Sequence, residues 1–251
     1  MENLNLSYLS AEIKKNVESF FLDILSHHKE NIVSIYLTGS AITKDFDVKH
    51  SDINTLIVVK EIKVTFFDFI ASLGKQYGKK KLHAPLVMTK NYIERSLAEF
   101  PLEFLDMKNN NQLAYGEDIL KNITIEKKDI RLQCERELKS RLQQICQGFI
   151  RAMGNKTVLR DLFKGAISGY FPIFCGILFL YGQKIPKEKS AILSAIRDCC
   201  NIKIDPFTKL LAIKAKDLNP SAEELKEIFE ELYCEIDALA GKIDEFKVEN
   251  V

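Results

Sequence analysis

Hydrophobic and polar positions follow one rhythm in the first half of the chain and another in the second. Apolar residues Ile13, Val17, Phe20, Phe21, Ile24 and Leu25 recur at helical spacing. They predict a helix over Ser10 to His28, with Ser10 as N-cap and Glu12 in its first turn. The period then shortens. Ser34 to Leu37 is a β-prone run broken by Thr38-Gly39-Ser40, and Ala41 to Ser51 is charged and loop-like. Ile53 to Val59 returns as a β-branched strand with Asp52 at its mouth. Thr65 to Tyr77 predicts a helix, Leu82 to Met88 a third strand and Asn91 to Phe100 a short helix ended by Pro101. Pro101 to Lys108 reads as a fourth strand, followed by a loop at Asn109 to Asn111 and a turn at Tyr115 to Asp118.

From about Glu126 every convincing segment is helical. Apolar positions recur every three to four residues over Lys127 to Met153, Thr157 to Tyr181, Lys187 to Cys200, Pro206 to Leu218 and Ser221 to Phe246. That is a bundle pattern, and Ser221-Ala-Glu-Glu opens the last helix in the manner of a capping box. The expected class is therefore α/β (α+β): a mixed sheet of four or five strands with flanking helices over residues 1–120, then an all-α bundle over 121–251. Gly165 to Leu180 is almost continuously apolar but shorter than the roughly twenty residues a bilayer span needs. A central bundle helix bent at Pro172 is the expectation.

Composition adds little and excludes something. A 46% hydrophobic, 28% charged chain of 251 residues is long enough to bury a proper core. The net charge of +1 gives no general electrostatic case for nucleic acid or a membrane surface. Six cysteines lie in the second half without C-x-x-C spacing, which reads as core thiols in a reducing compartment. Met1 to Ser10 is polar and mixed, so a cytoplasmic location is the default expectation. His27 and His28, beside Lys29, suit the C-terminal end of a helix dipole. Oligomeric state is not written in the pattern.

The candidate chemistry gathers where two strand ends meet. Gly39 supplies conformational freedom, Thr38 and Ser40 hydroxyls, and Asp52 a carboxylate. Residues two apart on a strand face one side, so Asp52 and Asn54 look at the same spot. Carboxylates at both positions would hold Mg²⁺ against phosphate. Asn54 offers an amide oxygen without charge, which weakens such a site.

Gly39-Ser40, a gap, then Asp52-Ile53-Asn54 resembles the signature of the polymerase-β-like nucleotidyltransferase superfamily, above all the aminoglycoside adenylyltransferases and related bacterial proteins. The chain departs from the pattern at Asn54, where Asp or Glu is usual. The resemblance implies a triphosphate on the Gly-Ser turn, with Thr38, Lys44 and Ser51 among the nucleotide-binding residues, and metal on Asp52 and Asn54. Lys49 and the Lys79 to Lys81 run are further candidates for neutralising phosphate. The family's third carboxylate aligns with His83, which stands as a general base, a metal ligand or a neutral replacement; Glu103 and Asp106 are the alternative third carboxylates. On a strand those two would face opposite sides. The Leu-x-Tyr-Gly-Glu-like turn around Tyr115 resembles the family's domain link. In the related enzymes a cleft between domains holds the acceptor and a carboxylate of the helical part acts as base. Glu135 or Glu137 takes that place here, against the alternative of a solvated helix face. The implied activity is transfer of a nucleoside monophosphate from a nucleoside triphosphate to a hydroxyl of a small molecule. The alternative is a degenerate module that binds a nucleotide or a protein partner without turnover.

Overall fold

The computed structural model describes residues 4–7, 9–43, 52–78 and 81–248. The chain divides into two compact units, Met1–Glu99 with Phe104–Thr124, and Phe100–Glu103 with Ile125–Val251.

The first unit is built on a four-stranded mixed sheet. Its strands are β1 (Ile32–Thr38), β2 (Asn54–Val59), β3 (Leu86–Thr89) and β4 (Asn111–Gly116), in the order β3-β2-β1-β4. β1 is antiparallel to both neighbours and β2 runs parallel to β3. Side chains alternate between faces. Ile35, Leu37, Ile57 and Val59 join Val17, Phe20, Phe21, Ile24, Phe66 and Leu73 of helices α1 (Ala11–His28) and α2 (Val64–Tyr77) in one apolar cluster. The opposite face carries Tyr36, Leu56 and Val58, all buried. Both faces are thus apolar, which is why these strands read as continuous hydrophobic runs. The Ser10 hydroxyl accepts from the Ile13 N–H at 3.4 Å and starts α1 as expected. Tyr77 ties α2 to α1 through a 2.6 Å hydrogen bond to Asp23 Oδ2, and burial followed by that carboxylate pushes its phenol up to about 12.

Several elements differ from the sequence reading. Pro101 to Lys108 is a helix, α4 (Pro101–Asn109), not a strand. Proline is at home in a first helical turn, where its missing N–H costs nothing. The fourth strand comes after it, in the segment read as loop and turn. Asn110 and Asn111 close the helix: Asn111 Nδ2 donates to the carbonyls of Met107 and Lys108 at 2.8 and 3.0 Å. Ahead of α4, helix α3 (Lys90–Ser96) is shorter than its predicted span, and Leu82, expected inside the third strand, makes only an isolated bridge to Ile53.

Beyond β4 the chain is fastened chiefly by the hydroxyl of Tyr36, with that of Ser34 also donating to the Glu117 carbonyl. Buried Tyr36 donates toward the Glu117 carbonyl at 3.1 Å and accepts from the N–H groups of Ile119 and Leu120 at 2.6 and 3.2 Å, opening the short helix α5 (Ile119–Asn122). Burial is the main cause that raises the Tyr36 pKa, so the group stays protonated at neutral pH. Tyr36→Phe removes the acceptor and strands two buried donors, so we expect a loss of about 1–3 kcal/mol in urea unfolding.

At the other end of α1, His28 packs edge-on to Phe66 with centroids 5.2 Å apart and lies 4.8 Å from Phe69. Desolvation, then His27 and Lys63, holds its pKa below the ordinary 6.5. The unfolded chain therefore binds this proton more readily. Stability is expected to be full above about pH 6.5 and to fall as pH drops through that value. His28→Gln should flatten this part of a melting-temperature profile against pH, and an unchanged slope would contradict the assignment.

The second unit is all helical. It contains α6 (Lys127–Ala152), α7 (Lys156–Ala166), α8 (Tyr170–Leu180), α9 (Lys189–Cys200), α10 (Asp205–Ala215) and α11 (Ala222–Asp244). The capping box of Ser221 and Glu224 is present at the start of α11. The long apolar segment is two helices rather than one bent at Pro172. A 3₁₀ turn at Ile167–Gly169 separates them and Pro172 lies in the first turn of α8. Its ring would clash with the carbonyl four residues back in a continuous helix. By length and composition Lys156–Leu180 would suffice to cross a membrane. Yet every residue of α8 except Pro172 and Phe179 is buried, and the helix packs on α6 and α9. Cys134, Cys175 and Cys200 are buried free thiols of this unit, in keeping with the core reading.

Candidate active site

The sheet register assembles the candidate site at one end of β1 and β2. Thr38 pairs with Asn54 on one side and with Asn111 on the other. Before β2 begins, Ile53 bridges to Leu82 in parallel, donating to the Lys81 carbonyl at 2.8 Å while the His83 N–H donates to the Ile53 carbonyl at 3.1 Å. One residue further along each chain, His83 comes beside Asn54. Asn111, Thr38, Asn54 and His83 therefore form a row across the strand ends. None of the four is a carboxylate. Asp52 precedes the row, and Asp52, Asn54 and His83 are all exposed while Thr38 is buried.

Gly39 leaves β1 at φ +71° and begins the 3₁₀ turn Gly39–Ile42. A β-carbon there would lie 3.5 Å from Asn54 Nδ2, an ordinary contact, so the backbone angle rather than space asks for glycine. The Gly39 N–H donates to the Asn110 carbonyl at 3.2 Å and is engaged within the protein. Of the other nucleotide-binding candidates, Lys44 and Ser51 lie outside the described residues, as do Lys49, Lys79 and Lys80 and the side chain of Ser40.

The alternative carboxylates separate. On α4, Glu103 and Asp106 are a helical i, i+3 pair instead of lying on opposite strand faces. Asp106 is close to the turn: its Oδ1 accepts from Asn110 Nδ2 at 2.8 Å, and Asn110 is the residue that receives the Gly39 N–H. Glu103 belongs to the second unit, where Gln133 Nε2 donates to it at 2.9 Å and Gln133 Oε1 accepts the Leu102 N–H at 2.8 Å. Glu135 is held on α6 between Arg131 at 3.1 Å and Lys139 at 2.6 Å. The Lys139 hydrogen bond chiefly keeps its carboxyl below the usual range, which makes it a weaker base. Glu137 pairs with Arg141 at 3.3 Å.

Sequence reasoning missed Asn110 and Asn111 as parts of this end of the sheet. The signal was present: Asn after a helix is a common stop, and the run Asn109-Asn110-Asn111 follows α4 directly.

The chemistry of the donor set decides what fits. Asp52 and the carboxamide oxygen of Asn54, two residues apart at the entry of β2, are donors for one hard cation. Among the described residues no group of three or more His, Cys, Asp and Glu side chains is arranged to hold a metal ion. One carboxylate and one neutral amide oxygen bring less charge than a paired divalent site uses.

No protein-family model matches the chain, and no curated protein matches it. Among solved structures it is similar to spectinomycin adenyltransferase AAD(9) from Enterococcus faecialis, crystallised with ATP and spectinomycin. The TM-score is 0.54 at 13% identity, covering 89% of this chain and 99% of that one.

Proposed function

On the nucleotidyltransferase fold that this chain has, we propose that it binds a nucleoside triphosphate at the Gly39–Asp52 end of the sheet and transfers the nucleoside monophosphate to a hydroxyl of a small-molecule acceptor. The observation that carries the reading is the register that brings Gly39, Thr38, Asn54 and His83 together at the strand ends, with Asp52 leading into β2. Asp52 and Asn54 would hold Mg²⁺, which when bound neutralises phosphate charge. The turn at Gly39 and Ser40 positions the phosphates. His83 takes the proton of the acceptor hydroxyl at its imidazole as that oxygen attacks the α-phosphorus and pyrophosphate leaves. Spectinomycin and ATP are named with the similar structure, so hydroxylated antibiotics are the first acceptors to test.

A second reading draws on the lack of carboxylates in the row itself. With Asn54 and His83 where carboxylates are expected, the site favours holding a nucleotide without turning it over. Pyrophosphate release separates the two. Each of ATP, CTP, GTP and UTP is incubated with Mg²⁺ and a panel of hydroxylated acceptors including spectinomycin. Acceptor-dependent release supports transfer, whereas nucleotide binding without release under every pairing supports the second reading.

A further inference from the structure

Inside the helical unit, a cavity of about 330 Å³ opens between α6, α7 and α8, lined by Arg141, Ile145, Leu162, Ala166 and Tyr170, with Gln144 and Asp161 also at its wall. It is remote in sequence from the nucleotide site and independent of the reading given for that site. Tyr170 is 1% exposed and is fixed edge-on against Phe207, centroids 5.6 Å apart. Tyr170 brings a phenol hydroxyl, able to donate and accept, to this wall. Burial raises its pKa, so it is a hydrogen-bond donor throughout the physiological range.

Arg141 stands beside it. The guanidinium lies over the Tyr170 ring, 5.8 Å from the centroid. Glu137 Oε2 reaches Nη2 at 3.3 Å, and the buried Nε has no partner. Gly169 makes this placement feasible, since a β-carbon there would fall 2.6 Å from Arg141 Cζ. Asp161 is at the rim, 60% exposed, and is paired with Lys164 at 3.5 Å and Arg160 at 3.8 Å. The charged side chains of the wall are Arg141 and Asp161, and Asp161 is taken up by Lys164 and Arg160, which leaves Arg141 as the cation of the wall. Ile145, Leu162 and Ala166 supply the apolar part of the lining. A few donors in a largely apolar lining is the usual construction of a small-molecule site.

We infer that this cavity binds a small amphipathic carboxylic acid, its carboxylate on Arg141 and Tyr170 and its apolar body against Ile145, Leu162 and Ala166. A guanidinium and a phenol together match a planar carboxylate.

Benzoate and benzamide, nearly equal in shape and different in charge, test this by heteronuclear NMR titration of the full chain. Benzoate is expected to shift amide signals of α6, α7 and α8, with benzamide weaker by about tenfold or more. Tyr170→Phe keeps the ring and the Arg141 contact and should weaken benzoate about fivefold. Arg141→Gln should erase the preference for acid over amide. Equal affinity for the two probes, shifts elsewhere in the chain, or no shift up to about 10 mM benzoate overturns the inference.

Discussion

Replacing Gly116 with alanine is expected to cost about 2–5 kcal/mol and to unfold much of the first unit at moderate urea. Gly116 ends β4 at φ +87°, a region in which a side chain is strained by about 1–2 kcal/mol. Space is the larger difficulty. A β-carbon would overlap the Val33 carbonyl oxygen and lie 2.9 Å from its carbon and 3.1 Å from Ser34 Cα, all backbone that cannot step aside. Overpacking of this kind adds about 1–3 kcal/mol. The damage would spread because Gly116 pairs with Ser34, and the next residues are the ones that Tyr36 and the Ser34 hydroxyl hold. Gly154, at φ +76°, is the control, because a β-carbon there would meet nothing within 4 Å. Its alanine variant should lose only the strain, about 1–2 kcal/mol. Equal losses at the two sites would show that steric overlap is not the cause at Gly116.

Asp52→Ala is expected to lower monophosphate transfer by roughly 10²–10³-fold with the melting temperature unchanged. The carboxylate is exposed and lies just before the β2 ladder, so the fold does not depend on it. Its removal leaves only the neutral Asn54 among the two proposed ligands. Asn54→Asp should act in the opposite direction, tightening Mg²⁺ by adding a charge to the same spot. Mg²⁺ titration followed by turnover separates the two variants. An Asp52→Ala protein as active as the parent would remove Asp52 from the mechanism.

What the sequence made legible is local. The turn at Gly39 and the Asp52-Ile53-Asn54 entry to a β-branched run are close neighbours along the chain, and strand alternation places Asp52 and Asn54 without further knowledge. Most helices of the second half follow from period, because each buries one apolar stripe; α8, buried nearly all round, has no such stripe, and its break from α7 was not read. Pro101 to Asn109 failed for a physical reason: PLEFLDMKN has apolar residues at positions that suit either period, and only tertiary context makes it α4. Its misreading displaced β4 into the preceding segment and put Glu103 and Asp106 on a strand they do not occupy. Tyr36 was invisible because its partners, Glu117 to Leu120, lie more than eighty residues away. The nearness of Asp106 to the Gly39 turn passes through Asn110, a contact that no spacing rule encodes.

Calorimetric titration of the purified protein with ATP, CTP, GTP and UTP, each with and without Mg²⁺, tests the central claim most directly. The account predicts that at least one triphosphate binds, that Mg²⁺ strengthens the binding, and that Asp52→Ala abolishes the Mg²⁺ effect. Failure of all four nucleotides to bind with Mg²⁺ present would contradict it, and would leave the Gly39–Asp52 end of the sheet as scaffold rather than site.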